Sequence, residues 1–161
     1  MTFVQITKDW VGLPRIALIA AALIGIGCAG GATAQSKQVI ARAVPSTVNL
    51  PFSEGIAVGN TLYVAGQQGE DEAGHLAKGG IQAETQGALD NIARVVKAAG
   101  FRMSDVVSVT VYLADIKEFD AMNTVYKRVM PDPKPTRATV QVAGMYNQAR
   151  VEISAIAVKS P

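Results

Sequence analysis

The sequence predicts an α+β domain in the order β-β-β-α-β-α-β-β, with the helices packed on one face of a mixed sheet. Three observations predict it. Val106–Leu113 and Arg150–Val158 alternate apolar and polar residues with the period of half-buried strands. Ile81–Ala99 places Ile81, Ala88, Leu89, Ile92, Val95, Val96 and Ala99 at helical spacing. Short strand-like runs stand before the first helix, and a second helix separates the later strands.

The elements follow in order. Ser36–Val44 is the first strand candidate, and Pro45–Phe52 is a proline-bounded connection. Gly55–Val58 and Thr61–Ala65 flank Gly59–Asn60, a two-residue turn of the kind that closes hairpins. Gly66–Gly69 is expected to leave the strand, and Glu70–Gly80 is a polar, glycine-punctuated loop. The helix over Ile81–Ala99 ends at Gly100, and Gly87 inside it implies a close packing contact. After the Val106–Leu113 strand, Asp115 is expected to cap a second helix, with Glu118 completing a capping box. Phe119, Met122, Tyr126, Val129 and Met130 form that helix's apolar face, and Asn123 falls on it. An asparagine there either ties down a neighbouring loop or touches a ligand. Pro131, Pro133 and Pro135 end the helix.

Thr136–Val142 and Arg150–Val158 then read as two strands joined through Gly144 and Asn147. Pairing them as a hairpin, with Val142 opposite Ala149, sets Thr139 opposite Glu152. Arg137, Thr139, Gln141, Arg150, Glu152 and Ser154 would then share one sheet face. Such a face suits an acidic small molecule, but it equally suits a solvated surface or a cross-strand ion pair. The register is the weak point, because a one-residue slip exchanges the faces.

Composition excludes several function classes. The chain has 161 residues, one cysteine and one histidine. Residues 1–34 read as a secretory signal: a short segment carrying Lys8 and Arg15, the apolar run Ile16–Ile26, then Ala32-Thr33-Ala34 before Gln35. Cleavage is expected after Ala34, giving an exported, periplasmic or secreted domain over residues 35–161 with no stable membrane association. An uncleaved anchor and lipidation of Cys28 are the alternatives. Residues 35–161 keep 13 Lys+Arg against 12 Asp+Glu, a net charge of +1, which offers no surplus for a nucleic-acid backbone. Cys28 lies in the signal, so the mature chain has no thiol nucleophile and no cysteine-based metal site. His75 sits in the polar loop without a second histidine, so no metal is expected.

Five segments together resemble the RidA/YjgF family of reactive-intermediate deaminases: PFSEGIAVGNTLYVAGQ, ETQGALDNIARVVKAAG, DVVSVTVYLADIKEFDAMNTVY, PTRATVQV and VEISAIAV. The resemblance runs from about Val39 to Val158. It implies a chorismate-mutase-like fold, a homotrimer with sites between subunits, and hydrolysis of enamine or imine intermediates such as 2-aminoacrylate to 2-oxo acids and ammonia, without a cofactor. Arg137 matches the arginine that binds the substrate carboxylate, and Glu152 the glutamate beside the attacking water. Thr139 matches the position whose backbone helps hold that water. Gly66, Asn123 and Phe52 match substrate-binding positions. The chain departs from the family at Ala65, at Phe52 (commonly Tyr) and at Gln68-Gly69 (commonly Ile-Pro). A non-catalytic carboxylate-binding trimer and an endoribonuclease are the other readings the resemblance leaves open.

Overall fold

The structure is a computed structural model that describes residues 35–41 and 51–160. The signal expected over residues 1–34 and most of the Pro45–Phe52 connection lie outside the described residues. Among the described residues there are six strands and two α-helices: β1 (Lys37–Ile40), β2 (Gly55–Val58), β3 (Thr61–Gln68), α1 (Ile81–Ala98), β4 (Val106–Leu113), α2 (Phe119–Val129), β5 (Thr136–Gln141) and β6 (Val151–Val158). They form one sheet in the order β1-β2-β3-β6-β4-β5. Only β4 and β5 run parallel; every other neighbouring pair is antiparallel. The α+β class and the mixed sheet agree with the sequence expectation.

The expected β5–β6 hairpin does not form. β4 lies between the two strands, paired with β5 on one side and β6 on the other. The reason is the α2 crossover, which returns β5 parallel beside β4 and gives it the sheet's outer edge. β6 instead enters the middle of the sheet, where β3 and β4 satisfy both of its backbone edges.

One face of the sheet carries the core. Leu62 and Val64 of β3, Val109, Val111 and Leu113 of β4, and Val151, Ile153, Ala155 and Ala157 of β6 are buried. They meet Ala88, Leu89, Ile92, Val95 and Val96 of α1 and Met122, Val125 and Tyr126 of α2 in one cluster. Gly87 makes the close contact its sequence position implied. A Cβ on it would lie 3.0 Å from Gly69 Cα, so α1 rests almost directly on the chain leaving β3. Nearby, buried Glu84 of α1 accepts the Arg150 backbone N–H at 2.7 Å, which ties the helix to the start of β6.

Two local expectations are corrected. β3 does not end at Ala65. It runs on to Gln68 through a bulge, since Ala65 and Gly66 together occupy the space opposite Ser154, between the Val64–Ala155 and Gln67–Ile153 pairs. Glu118 does not reach back to close a capping box. Asp115 caps a single 3-10 turn, Ile116–Glu118, by accepting from the Lys117 N–H at 2.9 Å, and the Glu118 carboxylate pairs with the Arg150 guanidinium. A full opposite charge outcompetes a neutral amide for that carboxylate.

Candidate active site

Alternation within each strand, combined with the observed strand order, sorts the candidate residues onto two faces. Glu152 and Ser154 alternate with buried Val151, Ile153 and Ala155, so they occupy the open face, away from the helices. Arg137 pairs with Val109 and Thr139 with Val111, both buried in the core. Arg137 and Thr139 therefore belong to the helix face. Gln141, in register with Leu113, also follows that face, and its Oε1 accepts from the Ile116 N–H. Arg150 precedes β6 and is engaged by Glu118. The single polar face expected from the sequence is thus two half-sites separated by the sheet.

The open-face half-site is built around Glu152. A Cβ on Gly66 would overlap the Glu152 carboxylate, so the bulged main chain lies directly against it. Gln68, opposite Glu152 across the β3–β6 ladder, donates its Nε2 to Glu152 Oε2 at 3.0 Å. A cavity of about 350 Å³ opens beside these groups, lined by Gly66, Tyr112, Met145, Tyr146, Glu152 and Ser154 among others. Its rim is a short turn, Tyr146–Gln148, in which Asn147 has φ 56° and Gln148 φ 55°. Asn147 holds that turn by donating to Glu70 Oε1 at 2.9 Å and to the Gly74 carbonyl at 3.1 Å.

The helix-face half-site is built around Arg137. Its Nη1 donates to Asn123 Oδ1 at 2.9 Å. Its guanidinium lies 4.4 Å from the Tyr126 ring centroid and 5.5 Å from that of Phe119, a cation–π arrangement that fixes the plane of the fork. Burial pushes the Tyr126 phenol up, and the Arg137 charge partly opposes that. The Tyr126 hydroxyl and Thr139 Oγ1 are buried with no hydrogen-bond partner among the described residues. Asn123 thus orients the arginine, and among the described residues it pins no loop.

Phe52 joins neither cluster directly. It is exposed, on a segment anchored by Glu54, whose carbonyl accepts from the Ala65 N–H at 2.9 Å. Glu54 also forms a two-pronged pair with Arg94 at 2.9 and 3.2 Å. His75 is an exposed loop residue beside Asp71, as expected. The His75 backbone N–H, with other donors of its loop, holds the Asp71 carboxyl below its usual value.

The Endoribonuclease L-PSP family model matches residues 41–159. The chain belongs to this family, known also as RidA/YjgF. A RidA-type relative from Capra hircus, named 2-iminobutanoate/2-iminopropanoate deaminase, is 43% identical over 126 residues, covering 78% of this chain and 92% of the relative. Two solved RidA-family structures from E. coli are similar in fold. The YjgF gene product has a TM-score of 0.70 at 29% identity, covering 76% of this chain and 99% of its own. TdcF with bound serine has a TM-score of 0.70 at 30% identity, with the same coverage. Sequence reasoning missed Gln68 because it ended β3 too early, and it missed Met145 and Tyr146 because loop residues carry no periodic signal. Tyr112 was within reach, since it alternates with Val111 and Leu113.

Proposed function

We propose that this chain hydrolyses enamine and imine intermediates of amino-acid chemistry to 2-oxo acids and ammonia. The observation that carries the proposal is the Glu152 carboxylate, held against the bare Gly66 main chain and facing an open cavity, in a relative of proteins named imine deaminases. An imine carbon is already electrophilic. Water adds to it, the C–O bond forming as the C=N π pair moves to nitrogen; Glu152 takes one proton from the water and returns it to that nitrogen, giving a carbinolamine. Glu152 then takes the carbinolamine hydroxyl proton and passes it to the nitrogen, so the C–N bond breaks as the C=O forms and ammonia leaves. An enamine first takes a proton on carbon and gives one up from nitrogen to become the imine. General acid–base help of this kind contributes about 10²–10⁴ in rate. Arg137 supplies a planar two-pronged grip for the substrate carboxylate.

Arg137 and Glu152 lie on opposite faces of one sheet, so one small molecule reaches both only if a second copy supplies one of them. We therefore propose a homotrimer with its sites between subunits. A row of apolar residues on the open face supports it: Val39, Ile56, Tyr63 and Ile156 are paired in register across four strands, and Val39, Tyr63 and Ile156 are exposed. We further propose, from the sequence of residues 1–34 alone, that the protein is exported and cleaved after Ala34. Steady-state assay of the purified protein on imines of several amino acids tests the reaction. Formation of the 2-oxo acid and ammonia above the spontaneous rate is expected. Carboxylate binding without turnover would leave a binding module in its place.

A further inference from the structure

One polar side chain of the open-face half-site that the chemistry above does not use is hydrogen-bonded to Glu152. Gln68 ends β3 directly across from Glu152 and donates to Oε2 at 3.0 Å. The other carboxylate oxygen, Oε1, is the atom nearest to where a side chain on Gly66 would begin. The two oxygens therefore have different surroundings. We propose that Gln68 is a positioning residue: it engages Oε2 so that Oε1 is the oxygen that takes the proton of the attacking water. This rests on the deaminase reading.

The orientation of the amide follows from charge. Turned over, Gln68 would set its own Oε1 against a carboxylate, acceptor against acceptor, so the Nε2-inward arrangement is the favourable one. The main chain of Gln68 is itself held. Asn91 of α1 donates its Nδ2 to the carbonyls of Gln68 and Glu70, each at 2.9 Å, so the end of β3 is fixed to the helix layer. A third observation separates positioning from simple stability. Gln68 Oε1 is buried and has no hydrogen-bond partner among the described residues, and a buried acceptor without a donor destabilises a fold. An apolar side chain would avoid that loss. What the glutamine does for Glu152 offsets it, a trade expected of residues that serve a site more than a fold.

The test compares Gln68→Leu and Gln68→Glu with the wild type in the full chain, using an amino-acid-derived imine generated in situ and a melting curve for each protein. Gln68→Leu removes the donor at similar volume. Its kcat should fall about tenfold with KM changed less than about twofold, since substrate grip is untouched, and its Tm should hold or rise. Gln68→Glu faces one carboxylate with another and should lower kcat further. A Gln68→Leu protein with wild-type kcat, or one whose kcat falls only in proportion to a lowered Tm, overturns the positioning role while leaving the deaminase reading intact. A wild type without turnover removes the deaminase reading and this inference with it.

Discussion

Gly66→Ala is the sharpest probe of the open-face site, because its effect is set by geometry alone. The added methyl would start 2.7 Å from Glu152 Cδ, where ordinary van der Waals contact begins at 3.4 Å. The oxygen nearest that methyl lies only 2.0 Å from it, so the carboxylate must retreat by about 1.0 Å there to reach even the tightest contact, 3.0 Å. Gln68 holds the other oxygen at 3.0 Å, so the retreat also breaks or bends that hydrogen bond. Displacement of a reacting group by about 1 Å costs on the order of 100-fold in rate, which is about 2.7 kcal/mol of transition-state stabilisation. The fold itself should tolerate the change, because Gly66 does not occupy the left-handed region that disfavours alanine. Steady-state kinetics should therefore show kcat/KM down about 100-fold with kcat carrying most of the loss, and thermal melting should show little change. A folded Gly66→Ala protein with undiminished kcat/KM would refute the reasoning, since Glu152 could then act from a displaced position or not at all.

The remaining predictions concern the other half-site, the assembly and the leader. Arg137→Ala should lower kcat/KM about 100-fold or more, because two charge-assisted hydrogen bonds of about 1.5–3 kcal/mol each are removed; Arg137→Lys should recover only part of this, and Glu152→Gln should spare binding of a carboxylate such as benzoate while slowing turnover, all read by kinetics and calorimetry. Tyr126 has its phenol pushed up from 10.0 by burial, so the folded state holds that proton more tightly than the unfolded chain. Its contribution to stability is therefore complete below the unfolded value and is lost as pH rises through the higher folded one; denaturant titrations should show this alkaline loss in the wild type and less of it in Tyr126→Phe. That variant also removes a hydroxyl without a partner among the described residues, so its stability at neutral pH should be equal or greater. Light scattering at micromolar concentration should report a trimer, and a charged substitution at Tyr63 or Ile156 on the open apolar row should shift it toward monomer. Intact mass of the exported product should correspond to a chain beginning at Gln35; a soluble full-length cytoplasmic product would refute the leader reading.

The sequence by itself determined the elements and the inward face of most of them. Alternation in Val106–Leu113 and Val151–Val158 is a local property, and so is the helical spacing of Ile81 through Val96; both survive in the structure as the buried rows of β4, β6 and α1. It also supplied the two residues on which the proposed chemistry rests, Arg137 and Glu152. What the sequence left open was which strands are neighbours. A period of two states that residues of one strand share a face, but it carries no relation between the faces of different strands. That relation is set by long-range pairing, and the insertion of β4 between β5 and β6 decided it. The same insertion moved Arg137 and Thr139 to the helix face, with Arg137 against Asn123 and Tyr126, and left Glu152 on the open face with Gly66 and Gln68. The bulge at Ala65–Gly66 was likewise invisible locally, because it exists only relative to the strand opposite. Residue types were therefore legible from the chain, whereas their division into two half-sites is a consequence of sheet topology, which no single stretch of sequence encodes.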